Sequence, residues 1–469
     1  PGVELGPCFC SPPHPNPPPL QGGGDIFLGR SWLATAPRNM VWLAYQLQQC
    51  HSISNLMQES IPIPMTRKAY TVLIAACAAL LISLGLRYSF GLYLAPVSKS
   101  LALDVQVFSL AIAMQNLLWG LSQPFAGAIA DKYGSGRVIA GGALLHVAGL
   151  LVLANAGSAW DLHTGAGFIL GIAGSGCTFV VILGVVGREV PPARRSLCLG
   201  IASAAGTMGQ VVVVPFNQVL INDFGWQAGF IGMAVLMAML VPLAAALSGN
   251  AASMAETSTA IDDAGPGGVA AALGEARAHG GFLLLTAGFF VCGFQIFFII
   301  AHFPNFLTSA GLPGWLPGAA IAVIGVANVI GTLAVGWLGG HYSIKYLLSG
   351  LYALRAVVIA LFLVIPLSPA SVLVFSAAIG LIWLGTVPLT SALIGQIFGV
   401  RYMTTLFGIV FLSHQLGSFL AVWLGGVIFD ATGSYDLIWQ ASIVLGIVAA
   451  LLHLPIADAP IRRTAEARA

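Results

Sequence analysis

Twelve long apolar runs occupy residues 71–456, and two of them hold an arginine. Past Asp436, at the mouth of the last run, none contains an acidic residue. Roughly 20 apolar residues suffice to cross a bilayer as a helix. Lipid offers no partner for unpaired backbone groups, so continuous runs of this length must be helical. A charge near the bilayer centre costs at least about 2.5–3.5 kcal/mol. An arginine kept there without an acidic neighbour needs its counter-charge from elsewhere, and a bound anion is one candidate. The pattern points to a membrane carrier for anions.

The spans are expected at 71–95, 106–130, 138–156, 163–186, 197–221 and 226–248, then at 281–303, 317–339, 346–366, 370–394, 404–428 and 435–456. Hydrophobic residues make up 58% of the chain and charged residues 7%. Soluble domains carry about 25% charge, which excludes that class. The net charge of +2 has a membrane-like arrangement, so no nucleic-acid partner is expected. Lipid and a small molecule are the expected partners, with protons as a second possible cargo, and the chain is expected to act as a monomer. One set of loops holds thirteen Lys and Arg residues, including Arg67, Lys68, Lys132, Arg137 and Arg188; the opposite set holds Lys99 alone. The positive-inside rule then places both termini in the cytoplasm, which an even number of spans allows.

Seven cysteines (Cys8, Cys10, Cys50, Cys77, Cys177, Cys198 and Cys292) show no zinc spacing, and four lie in predicted spans as small apolar residues. No metal or cofactor is expected. Paired carboxylates and a nucleophile elbow are also missing from the loops, which argues against an enzyme. Residues 1–64 are expected to be a disordered or non-native leader, because 11–24 is a Pro/Gly-rich tract without signal-peptide order. Met65-Thr-Arg-Lys68 is the expected native start.

The two halves echo each other. Gly127-Ala-Ile-Ala-Asp131-Lys132-Tyr133 precedes span 3, and Gly336-Trp-Leu-Gly-Gly-His-Tyr342 precedes span 9. Gly200-Ile201 and Gly209 in span 5 recur as Gly408-Ile409 and Gly417 in span 11. The expected organisation is a six-helix half over 65–248, a polar linker over 249–280, a second parallel half over 281–456 and a tail over 457–469.

The stretch Gly127-Ala-Ile-Ala-Asp131-Lys132-Tyr-Gly134-Ser-Gly-Arg137 resembles the loop signature of the major facilitator superfamily. Glu189-Val-Pro-Pro-Ala-Arg194-Arg195 is a second similar stretch. Tyr88-Ser-Phe-Gly-Leu-Tyr-Leu-Ala-Pro96 is similar to bacterial relatives of the monocarboxylate and oxalate–formate porters. The resemblance covers most of 65–456. It implies an all-α fold of twelve membrane helices in two parallel six-helix halves, alternating access and a central site. It also implies that Gly127, Asp131, Lys132, Gly134 and Arg137 form a conformational latch rather than a substrate site. A bacterial inner membrane is the expected location.

Two departures limit the analogy. The porters carry an acid and an arginine in helix 8, where this chain has Asn328-Val-Ile-Gly-Thr332. Helix 5 reads Gly206-Thr-Met-Gly209-Gln-Val-Val-Val-Val-Pro215, without the efflux signature.

Arg87 lies about 16 residues, roughly 24 Å, into span 1. The resemblance places that helix on the cavity, so Arg87 is the first substrate candidate, against a reading in which it snorkels. Arg355 lies near the middle of span 9 and is expected to bond carbonyls or hydroxyls between helices, with help from Tyr352. His414, followed by Gln415, is the first candidate for a titrating carrier, with His302 second and His146 also in a span. Gln295, Gln115, Asn116 and Asn328 are candidate cavity amides. Gly171, Gly174 and Gly176 are expected to serve close packing. The favoured expectation is transport of a small organic anion, monocarboxylate-like, by proton symport or anion exchange. Drug efflux and a transport-inactive sensor on the same fold are the alternatives.

Overall fold

The computed structural model describes residues 65–248, 268–399 and 403–461. The expected leader over 1–64, most of the linker and the end of the tail lie outside them. Twelve helices among the described residues are long and apolar enough to cross a membrane, and no strand occurs there. They are α1 Arg67–Leu101, α2 Val105–Ala130, α3 Ser135–Ala154, α4 Ala159–Glu189, α5 Leu197–Phe224 and α6 Trp226–Ala246. The second set is α7 Gly280–Ser309, α8 Leu316–Gly339, α9 Ile344–Val364, α10 Pro369–Phe398, α11 Thr405–Thr432 and α12 Asp436–His453. Every expected span is present. The ends move by a few residues because caps and helical extensions set them, not hydropathy. The linker also holds a helix, Gly268–Ala278, which its alanines favour.

The packing repeats between halves. In the first half α1 lies on α5, α2 on α4 and α3 on α6; in the second α7 lies on α11, α8 on α10 and α9 on α12. Glycines make several of these contacts backbone-close. A Cβ on Gly209 would strike the Leu81 carbonyl and Gly85 of α1, and one on Gly417 would strike the Phe290 carbonyl of α7. Without a hydrophobic force between helices in lipid, such close contact is what holds them together.

The halves meet through α2 with α11 and α5 with α8. Four side-chain hydrogen bonds cross between them among the described residues. Asp430 accepts from the Val105 and Gln106 amides, Asn222 donates to the Gly314 carbonyl, and Gln415 donates to the Asn116 carbonyl. Three of them lie at the end of the bundle that carries the 102–104 and 433–435 loops, and the Gln415–Asn116 bond lies at mid-span. That end, called distal here, is packed shut.

Two spans, α4 and α10, are broken by more than one non-helical residue. In α4 a π-helical stretch His163–Ile169 is followed by Leu170–Gly176, and a break at Cys177 and Thr178 precedes Phe179–Glu189. In α10 the helix stops at Leu381 and resumes at Thr386. Thr178 and Thr386 are separated by 208 residues, the register of the internal repeat. The two breaks therefore occupy equivalent places.

Candidate substrate site

Arg87 is half-buried where α1 meets α2 and α7. Its guanidinium carbon lies 3.9 Å from the centroid of Trp119 and 4.8 Å from that of Phe297, one ring from each half. Its Nη2 donates a short hydrogen bond to Asn116 Oδ1. Among the described residues no carboxylate comes within ion-pair distance of it. The rings lend their negative faces to the cation, and the amide supplies a neutral acceptor. None of the three neutralises the charge.

Polar contacts continue from Asn116 into the second half. Its backbone carbonyl accepts from Gln415 Nε2 at 2.8 Å. Gln415 Oε1 lies 3.1 Å from His414 Nδ1, so that nitrogen carries the proton and donates. The His414 ring stacks on Phe411 at 5.5 Å and 7°, and Phe289 and Phe297 flank it. His414 also contacts the Cys292 thiol of α7.

Beyond Cys292 lies Arg355, which is 1% exposed. Its Nε and Nη2 both donate to the Ile382 carbonyl, at 3.0 and 2.8 Å, and Nη2 donates to the Trp383 carbonyl as well. Nη1 reaches Cys292 Sγ at 3.5 Å, and Tyr352 lies beside the group at 5.4 Å. The acceptors are the carbonyls freed by the break in α10. An unsatisfied carbonyl in a membrane interior costs several kcal/mol. Arg355 thus satisfies a broken helix.

Asn328 serves the same break from α8. Its Oδ1 accepts from the Leu384 amide and from Thr332 Oγ1, each at 3.1 Å. Its acceptor is spent on the fold in this conformation. The break in α4 is tied in the same manner by α2: Trp119 Nε1 donates to Thr178 Oγ1 at 3.2 Å. Trp119 and Asn328 are 209 residues apart, again the repeat register.

The remaining candidates separate. Gln295 sits 208 residues after Arg87 but faces α12, donating to the Ser442 carbonyl at 2.9 Å. His302 Nε2 lies 2.7 Å from the Val422 carbonyl and so donates. Its Nδ1 accepts from Tyr435, whose oxygen accepts from Asn305. A ring bonded on both nitrogens without a charge suits a fixed packing role. Gly171 lies against α2 and Gly176 against α3, as expected of close packing. In the latch stretch, Gly134 has φ +96° and turns the chain from α2 into α3; a side chain there would be strained. Gly127 has open space beside it, and Lys132 and Arg137 are exposed. The Asp131 side chain lies outside the described residues.

Of the substrate candidates, then, Arg87, His414 and Gln415 come together with Asn116, while Asn328 and Gln295 are elsewhere. Sequence reasoning missed Trp119, Phe297 and Phe411, which look like ordinary apolar residues of a span. It also missed both helix breaks. Gly174-Ser-Gly-Cys-Thr178 and Gly385-Thr386, at matching places in the two halves, were the available signal.

The major facilitator superfamily pattern matches residues 75–422. The chain belongs to that superfamily. An uncharacterized MFS-type transporter of Bacillus subtilis strain 168, YcxA, is 27% identical over 79% of this chain and 91% of its own length. Monocarboxylate transporter 13 of Rattus norvegicus is 26% identical, over 75% and 80%. The oxalate:formate antiporter of Oxalobacter formigenes is 22% identical, over 81% and 88%. Among solved structures, a bacterial homologue of the human lysosomal transporter Spinster, inward-facing and occupied, superposes with a TM-score of 0.67. It is 15% identical and covers 83% of this chain and 97% of its own, a likeness of fold alone. The protein is an integral membrane transporter, with twelve spans among its described residues.

Proposed function

We propose that the protein carries a small organic monoanion, with a carboxylate held by Arg87, through alternating access between its two halves. The observation that carries this reading is the unneutralised Arg87 guanidinium at the junction of the halves. A planar guanidinium donates two parallel hydrogen bonds to a carboxylate. With Nη2 on Asn116, the rest of its donor edge remains for a ligand. Arg355 argues for a single negative charge on the cargo. Its donors are spent on the α10 break, so among the described spans a second carboxylate would find no second free cation. Relatives named for monocarboxylates and for oxalate and formate support an anionic cargo.

His414 and Gln415 lie one step from Asn116 and are the groups that would feel the bound anion. The His414 imidazole is the candidate proton carrier if symport operates. In this reading the termini are cytoplasmic, the shut distal end faces outward and the cargo exchanges from the linker side.

The test is binding of a panel of mono- and dicarboxylates to purified protein by calorimetry. A monocarboxylate should bind at least about tenfold more weakly to Arg87→Gln, with Arg87→Lys in between, because the ammonium keeps the charge and loses the fork. Equal affinity in Arg87→Gln and the parent would refute the assignment. A dicarboxylate that outcompetes every monocarboxylate would refute the single-charge reading.

A further inference from the structure

The carboxylate of Asp430, near the end of α11, does something unusual at the distal end. Its Oδ1 accepts from the Val105 amide at 3.0 Å, and its Oδ2 accepts from the Gln106 amide at 2.7 Å. These are the first two residues of α2, in the other half of the molecule. The first amides of any helix lack intrahelical partners, and the N-terminus carries a partial positive charge. A carboxylate that takes two such amides makes charge-assisted bonds.

The cap that sequence alone would assign to α2 is its own N-cap residue, Asp104. An aspartate at that position ordinarily bonds the amides two or three residues on. Here Asp104 makes no capping bond with its side chain. It is exposed, with extended backbone angles of φ −62° and ψ 149° that suit a capping residue. The helix therefore has two carboxylates able to serve one N-terminus, one local and one from across the interface. The distal end is shut while the distant one holds it. Gly426, one turn before Asp430, lies directly against Gln106 and Ser109, and Ser109 is fully buried.

We propose that Asp430 and Asp104 exchange as caps of α2 during the transport cycle. Asp430 holds the distal end closed, and Asp104 takes the Gln106 amide when α11 withdraws. The exchange keeps the Gln106 amide bonded in both states, and opening hands only the Val105 amide to water. Two carboxylates at one helix end repel each other, which limits the site to one cap at a time. Asp430 is a positioning residue: it lies about ten residues, roughly 15 Å of helix, from Asn116 and the Arg87 cluster.

The test uses the full chain with a Ser109→Cys reporter and a membrane-impermeant maleimide, against the chain without the reporter. Asp430→Asn should speed labelling from the distal side about fivefold, since it removes the charge and one acceptor. Asp430→Glu, which keeps the carboxylate, should label near the parental rate. Asp104→Ala should label about twofold or more slowly than the parent, because the open state loses its cap. Carboxylate affinity measured in the same samples should be unchanged in all three. Parental labelling in Asp430→Asn, or faster labelling in Asp104→Ala, would overturn the exchange. Labelling needs no cargo, so the result is independent of whether Arg87 binds an anion. If the membrane orientation is reversed, the same order of rates appears from the cytoplasmic side.

Discussion

Two arginines sit inside the membrane region of this transporter, and the fold treats them in opposite ways. Arg355 is 1% exposed, and three of its nitrogens are bonded, two to backbone carbonyls and one to the Cys292 thiol. Arg87 is half-buried between two aromatic faces, with one neutral amide as its hydrogen-bond partner. Both lack a carboxylate neighbour among the described residues, so charge counting alone does not tell them apart. What separates them is whether the protein already supplies acceptors. Arg355 has the carbonyls of a broken helix. Arg87 has two ring faces and one neutral amide.

That contrast is open to direct attack. The largest effect is expected from Arg355→Met, which leaves the Ile382 and Trp383 carbonyls without a donor. It should cost about 2–4 kcal/mol of stability and most of the folded yield, read by thermal unfolding in detergent. Arg355→Lys should recover part of this, because an ammonium cannot reach both carbonyls with the same geometry. Arg87→Gln in the same assay should change stability by less than about 1 kcal/mol, while abolishing tight anion binding. Comparable destabilisation by the two arginine changes would erase the distinction. Asn328→Ala should follow at about 1–2 kcal/mol, since it orphans the Leu384 amide at the same break. Its anion affinity should stay near the parental value; a large loss would return Asn328 to the substrate site. The smallest effects belong to Trp119. Trp119→Phe keeps a ring over Arg87 and loses the indole donor to Thr178, about 1 kcal/mol of stability. Trp119→Leu loses the ring face as well and should weaken anion binding a few-fold. Calorimetry on the pair separates the staple from the cation–π contact.

The helix breaks show why the site was only partly legible. Arg87, Asn116, His414 and Gln415 stood out because polar side chains in apolar spans are costly and so demand a reason. The same logic singled out Asn328 and Gln295, and it has no means of telling a cavity from an interhelical bond. Asn328 bonds Leu384, 56 residues away, and Gln295 bonds Ser442, 147 residues away. No local pattern announces such partners. Trp119, Phe297 and Phe411 carry no polarity signal at all, because an aromatic ring in a span is ordinary until a cation is placed on its face.

What the sequence determined by itself is the part governed by lipid. Twelve runs without interior acids must be helices, because the bilayer leaves every backbone group to find its partner within the segment. The 208–209-residue echo set two like halves, and Gly209 and Gly417 sit at the backbone-close contacts that the echo suggests. Tertiary structure alone decided which polar groups satisfy one another. It assigned Arg355 to the carbonyls of a broken α10, left Arg87 without a counter-charge among the described residues, and gave the α2 amides to Asp430 instead of the adjacent Asp104. The physical reason is that hydrogen bonding is short-ranged and directional. Hydropathy is summed along the chain, but a donor's partner is whatever the packed helices bring within about 3 Å.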